Sequence, residues 1–166
     1  REYALKLDYI KPCTPEFLEK MKAFDDELAQ FITGKQQQAA EGRVANTDNP
    51  AGLVNGTIDT NVGLLRAYMA LYLRRHPFIN KDLDLMVRTL APTGNGLPVQ
   101  IYCFSSNKNW PSYESIQAEI MEHFVSVLPV FELYAFQNAD ARDTIISGLI
   151  ESGKVDLSAV GGIPWL

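Results

Sequence analysis

Cysteine is scarce: Cys13 and Cys103 are the only two in 166 residues. Two thiols make no disulfide framework, and neither lies in a C-x-x-C or beside a histidine at metal-ligand spacing, so a reducing compartment suits the chain. Glycine (11) and proline (9) are too few for a collagenous or linker-like chain, and a hydrophobic content of 46% is too high for a disordered one. No stretch approaches the roughly 20 apolar residues that cross a bilayer. Arg66, Arg74 and Arg75 interrupt the richest candidate. Positive charge is also short, with 15 Lys and Arg against 20 Asp and Glu. That balance argues against a general nucleic-acid or anionic-membrane surface. P-loop, G-x-G-x-x-G, H-E-x-x-H and nucleophile-elbow patterns are all missing. The sequence starts at Arg1 without Met or a signal-peptide pattern, which predicts a processed chain or a piece of a longer protein.

What remains is a globular chain long enough to bury roughly two-thirds of its unfolded surface without staples. Its charge is unevenly spread. Residues 1–59 hold 7 basic and 10 acidic side chains, residues 60–111 hold 6 and 2, and residues 112–166 hold 2 and 8. Two readings fit: segregation on a solvated surface, or a basic face that meets an acidic face of another subunit.

Tyr3, Leu5, Leu7 and Tyr9 alternate with Ala4, Lys6, Asp8 and Ile10, which predicts a strand over 3–10. Thr14-Pro15-Glu16 then supplies a cap, a proline at the first helical position and an early acid. Phe17, Met21, Phe24, Leu28 and Phe31 form one apolar stripe on a single helix ending near Thr33-Gly34. Residues 34–59 read as a loop or insertion. Thr60 or Asn61 caps a helix with apolar residues on two faces, which His76-Pro77 ends. Asp84–Leu90 and Val99–Phe104 read as a hairpin joined by the Pro- and Gly-rich stretch 91–98. Ser112 is expected to cap a helix carrying Ile116, Ile120, Phe124 and Val127, stopped by Pro129. Phe131, Leu133 and Ala135 alternate as a last strand, and Asp140 caps a short helix that Gly153 ends. With the inserted helix and the last helix set aside, the order is β-α-β-β-α-β. That is an α+β, ferredoxin-like split βαβ unit over 1–137, followed by a C-terminal helix and tail over 138–166. Such a sheet leaves one face for extra helices, solvent or neighbouring subunits to cover.

Candidate chemistry is thin. Cys103 reads as a small buried hydrophobe, whereas Cys13 precedes a helix N-terminus that would lower its thiol pKa. His76 reads as a helix C-terminal residue meeting exposed carbonyls. Glu119, Glu122 and His123 resemble a metal set, but only Glu119 and His123 share a helix face, and two ligands do not make a site. Trp110, Tyr113 and Tyr102 evoke a base-stacking platform, but the Arg-Gly-aromatic-Gly pattern of RNA-recognition modules is missing from 99–104. Arg66 on an apolar helix and Arg88 in an apolar strand are expected to make fixed polar contacts, within one subunit or across an interface, since an unpaired cation there is costly.

Read in order, Asn61-Val-Gly63, Arg66-Ala-Tyr68, Tyr72-Leu73, His76-Pro77-Phe78-Ile79-Asn80, Met86-Val-Arg88, Leu90, Pro92-Thr93, Gly96-Leu97-Pro98, Ile101-Tyr102, Phe104, Trp110, Tyr113-Glu114, Ile116-Gln117 and Leu128-Pro129 form one pattern. It resembles the cytosolic region of the miniconductance branch of the small-conductance mechanosensitive channels. The resemblance is dense over 60–137, looser over 5–32, and does not reach 34–58 or 138–166. It implies a ferredoxin-like domain forming a vestibule at the cytoplasmic mouth of a pore, on the inner membrane of a bacterium. The parent would be a homo-heptamer that opens under membrane tension in hypo-osmotic shock. On that reading the domain catalyses nothing and takes no cofactor, metal or nucleic acid. Arg66, Arg88, His76, Trp110 and Tyr113 are its structural or interface candidates. The alternative is a stand-alone ferredoxin-like regulatory module that binds a small molecule.

Overall fold

The computed structural model describes residues 1–42 and 54–138, and the positions 145, 148, 149 and 151–153. It divides into two compact units, Arg1–Phe136 and Gln137–Leu166. The first unit is α+β. In chain order it comprises β1 (Glu2–Leu5), a 3-10 turn (Leu7–Tyr9), α1 (Pro15–Phe24), α2 (Asp26–Ala40), α3 (Asn61–Arg75), β2 (Met86–Thr89), β3 (Leu97–Tyr102), α4 (Trp110–Val127) and a second 3-10 turn (Leu128–Phe131). Among the described residues, no helix is long and apolar enough to cross a membrane.

The three strands form one antiparallel sheet in the order β1-β3-β2. Val87 and Arg88 oppose Ile101 and Gln100, so Val87, Val99 and Ile101 project into the core while Arg88, Gln100 and Tyr102 project the other way. Two local facts set the strand lengths. Gly96 has φ 99, and a Cβ there would stand 2.1 Å from the Leu5 carbonyl, so only glycine lets the connector cross the end of β1. Opposite the end of β2, Pro98 accepts from Leu90 N–H (3.0 Å) but has no N–H to return. The outer edge of β2 is occupied by one side chain: Asn55 Nδ2 donates to Leu85 O (3.2 Å), and Val87 N–H donates to Asn55 Oδ1 (2.8 Å).

Several expectations need correction. The alternation over 3–10 ends as a strand at Leu5, because the next residues coil into the 3-10 turn. The stripe from Phe17 to Phe31 spans two helices. Thr14 caps α1 as expected, but Asp25 turns to φ −150 and ψ 129, and its Oδ1 accepts Leu28 N–H (2.9 Å) to cap α2. The second helix runs on to Ala40, so 34–40 is not loop. Phe17, Met21 and Leu28 are buried, whereas Phe24 is 40% exposed, its ring against Tyr68 and Phe131. Asn109, not Ser112, caps α4, with Ser112 as the N–H donor. The last strand shrinks to a single antiparallel bridge between Leu5 and Ala135, because Phe131 is in the 3-10 turn and Glu132 is left-handed at φ 56.

The remaining ends fall where the residues place them. Thr60 Oγ1 accepts Gly63 N–H (3.1 Å), and His76 ends α3 in extended geometry before Pro77. Helix α3 is the centre of the core: Leu64, Leu65, Met69 and Leu73 are fully buried, which satisfies the expectation of two covered faces. Truncating any of them to Ala would cost about 2–5 kcal/mol. In the second unit Ile145, Gly148, Leu149 and Glu151 are helical and Gly153 is left-handed at φ 67, while the Asp140 cap lies outside the described residues.

Candidate functional site

Tyr68 and Tyr72 on α3 and His76 at its C-cap follow at successive four-residue steps, and α4 answers with Glu119 and His123, also four apart. Packing the two helices brings the five into one row. Tyr68 Oη and His123 Nε2 share a hydrogen bond of 2.9 Å, and the His123 ring lies flat on Tyr72, 3.9 Å between centroids and 12° from parallel. Tyr72 meets His76 edge-on, and His76 Nε2 stands 3.4 Å from Glu119 Oε1. Beyond Tyr68, Arg75 donates through both terminal nitrogens to Asp25 Oδ2 (3.0 Å each) and faces Glu27 at 3.6 Å.

These neighbours set the charges. Burial holds the His123 imidazole below its ordinary pKa, Arg75 adds to that, and Glu119 opposes it. Burial raises the Tyr68 phenol, helped by Asp25 and opposed by Arg75, and it raises Tyr72 with help from Glu119. The row therefore holds a neutral imidazole between two neutral phenols. It can fasten two helices and respond to protons. The structure does not bring Glu119, Glu122 and His123 together as a ligand set: Glu119 faces His76, His123 faces Tyr68, and Glu122 is exposed. Among the described residues, no group of three His, Cys, Asp or Glu could hold a metal ion.

Both arginines make polar contacts inside the chain. Arg66 Nη1 donates to Val54 O (2.9 Å), its Nε is buried without a partner, and burial lowers its pKa. Arg88 Nε donates to Gln100 Oε1 (2.9 Å), but Arg88 is exposed, so the argument from a costly buried cation does not apply to it. Trp110 is 71% exposed at the start of α4 with Tyr113 beside it, and Tyr113 Oη donates to Gln117 Oε1 (3.3 Å). Tyr102 and Phe104 form a second exposed aromatic pair. The expectation for Cys13 is reversed, since burial and then Asp59 push its thiol up to about 11. Cys103 is half-buried beyond the end of β3, its thiol also raised by burial.

Two positioning side chains, Asn55 and Lys81, escaped the sequence reading, and Asn61, expected as an alternative cap to Thr60, instead ties together three backbone segments. Asn61 is fully buried: its Oδ1 accepts from Lys11 N–H (3.1 Å) and Val62 N–H (3.0 Å), and its Nδ2 donates to Tyr9 O (2.8 Å) and Phe131 O (3.1 Å). Lys81 Nζ donates to the carbonyls of Arg74 and His76 at the end of α3. Asn55 covers β2. Only the four-residue steps of Tyr68, Tyr72, His76, Glu119 and His123 were visible beforehand, and those steps also describe ordinary core. No protein-family model matches the chain, and no solved structure matches it.

Proposed function

We propose that this chain is the cytosolic vestibule and assembly domain of a mechanosensitive channel of the miniconductance type. Segments of a longer parent would anchor it at the cytoplasmic side of a bacterial inner membrane, in a ring of seven copies. The order and spacing of the residues over 60–137 ground this reading. The sheet is compatible with it: beside the order β1-β3-β2, Ala135 makes an isolated antiparallel bridge to Leu5 of β1, the side on which a ferredoxin-like split βαβ unit would carry its fourth strand. The observation that carries assembly is the pair of exposed aromatic couples, Tyr102 with Phe104 and Trp110 with Tyr113, where the sheet ends and α4 begins. Paired exposed aromatic rings of this kind offer apolar surface that a partner can cover. The domain binds copies of itself and performs no reaction.

Pressure-clamp recording from membrane patches holding the full-length parent tests the reading, with tension-gated current expected. A parent with no ~20-residue apolar segments before Arg1, or one silent under tension, overturns it. A regulatory module that binds a small molecule is the second reading. A cavity of about 70 Å³ between α4 and β3, lined by Ile79, Ile101, Cys103, Ile116, Ile120 and Met121, favours it. A ligand that raises the melting temperature of the wild-type chain but not of an Ile120→Phe variant would select this alternative.

A further inference from the structure

His76 ends α3 as a residue only 5% exposed, and its two ring nitrogens are treated differently. Phe78 N–H donates to Nδ1 at 3.2 Å, so Nδ1 holds a lone pair and the single proton of the neutral ring sits on Nε2. Nε2 is buried without a hydrogen-bond partner; Glu119 Oε1, at 3.4 Å, lies out of line. A second proton must go to Nδ1, where it would confront the Phe78 N–H, donor against donor. The imidazolium and the Phe78 hydrogen bond therefore exclude each other.

That bond shapes a turn which is itself strapped to the segment after β3. Asn80 N–H donates to Phe104 O (2.8 Å), Ser106 N–H donates to Phe78 O (2.8 Å), and Ile79 bridges Ser105. The groups facing the ring pull in opposite directions. Glu119 on α4 favours a cation, the Lys81 ammonium on the His76 carbonyl opposes one, and the Tyr72 ring on α3 is neutral against its edge. Arg75, next in the chain, is engaged by Asp25 and Glu27.

We propose that His76 is a proton-sensitive latch: neutral, it holds the 76–80 turn against 104–106, and protonation at Nδ1 breaks the Phe78 bond and releases the turn. The released segment carries Phe78 and adjoins Phe104, so the latch sets the order of the aromatic surface. This inference does not depend on the functional reading.

The chain has two histidines, so ring resonances are assignable without ambiguity. NMR of the wild-type chain between about pH 8 and pH 5 tests the latch. At the alkaline end, His76 should show its proton on Nε2. On acidification, exchange protection of the Phe78, Asn80 and Ser106 amides should fall at least about tenfold, with the midpoint of His76 ring protonation and unchanged in His123→Gln. In Glu119→Gln the midpoint should move to lower pH. A proton on Nδ1 at the alkaline end, protection that persists while His76 protonates, loss that disappears in His123→Gln, or a midpoint that stays or rises in Glu119→Gln would each overturn the proposal.

Discussion

The two ends of α3 are closed by buried polar side chains that meet their surroundings in opposite ways. At the N-terminal end Asn61 uses both its oxygen and its amide on four backbone partners, and all are neutral. At the C-terminal end His76 satisfies one nitrogen and leaves the other facing a carboxylate across a long gap. A fully satisfied uncharged network rigidifies, whereas a partly satisfied titratable one stays responsive. One helix thus has a fixed end and a partly satisfied end.

Replacing Asn61 with Ala should have the largest effect. It leaves the buried Phe131 O and Val62 N–H without this partner and frees the part-buried Lys11 N–H and Tyr9 O, at about 2–4 kcal/mol in all. Urea denaturation would measure this, and a loss under 1 kcal/mol would break the comparison by showing the fixed end to be dispensable. Asp25→Ala, which takes from the other end both the α2 cap and the partner of Arg75, should cost about 1–2 kcal/mol in the same assay. Lys81→Met removes the ammonium from the last α3 carbonyls and should cost about 0.5–1 kcal/mol, read as a small fall in melting temperature.

The smallest effect is the dependence on pH through His123. Its folded pKa lies below the ordinary imidazole value of about 6.5, so the unfolded chain binds more protons at mildly acidic pH. Stability from this group is complete above that value and is lost as pH falls through it toward the folded pKa. Denaturation midpoints followed over this range should show a shallower acid loss in His123→Gln, and an unchanged slope would show that His123 contributes nothing to it.

Much of this arrangement was visible in the residues. Thr14 and Thr60 cap helices because a hydroxyl can take an N–H three positions on, and His76-Pro77 stops α3 because proline excludes helical geometry before it. The buried line Ile116, Ile120, Phe124 and Val127 follows from period alone. The break at Asp25 did not show, since the apolar spacing stays in phase across it. Asp25-Asp26-Glu27 is the kind of acid run that opens a helix, yet on a stripe it also reads as a solvated face. Strand lengths depended on neighbours that meet only in the folded chain, Gly96 against Leu5 and Pro98 opposite Leu90. The Tyr68–His123 pair needed the packing of two helices 55 residues apart, which no local pattern encodes.

Asn55 has a consequence for how this chain meets others. By giving an amide N–H to Leu85 and taking one from Val87, it does for the margin of β2 what a neighbouring strand would do. A foreign peptide cannot zip onto those groups while the amide holds them, so growth of the sheet into a fibril is blunted on that side. Any contact with another chain on that side is left to side chains rather than to the backbone of β2.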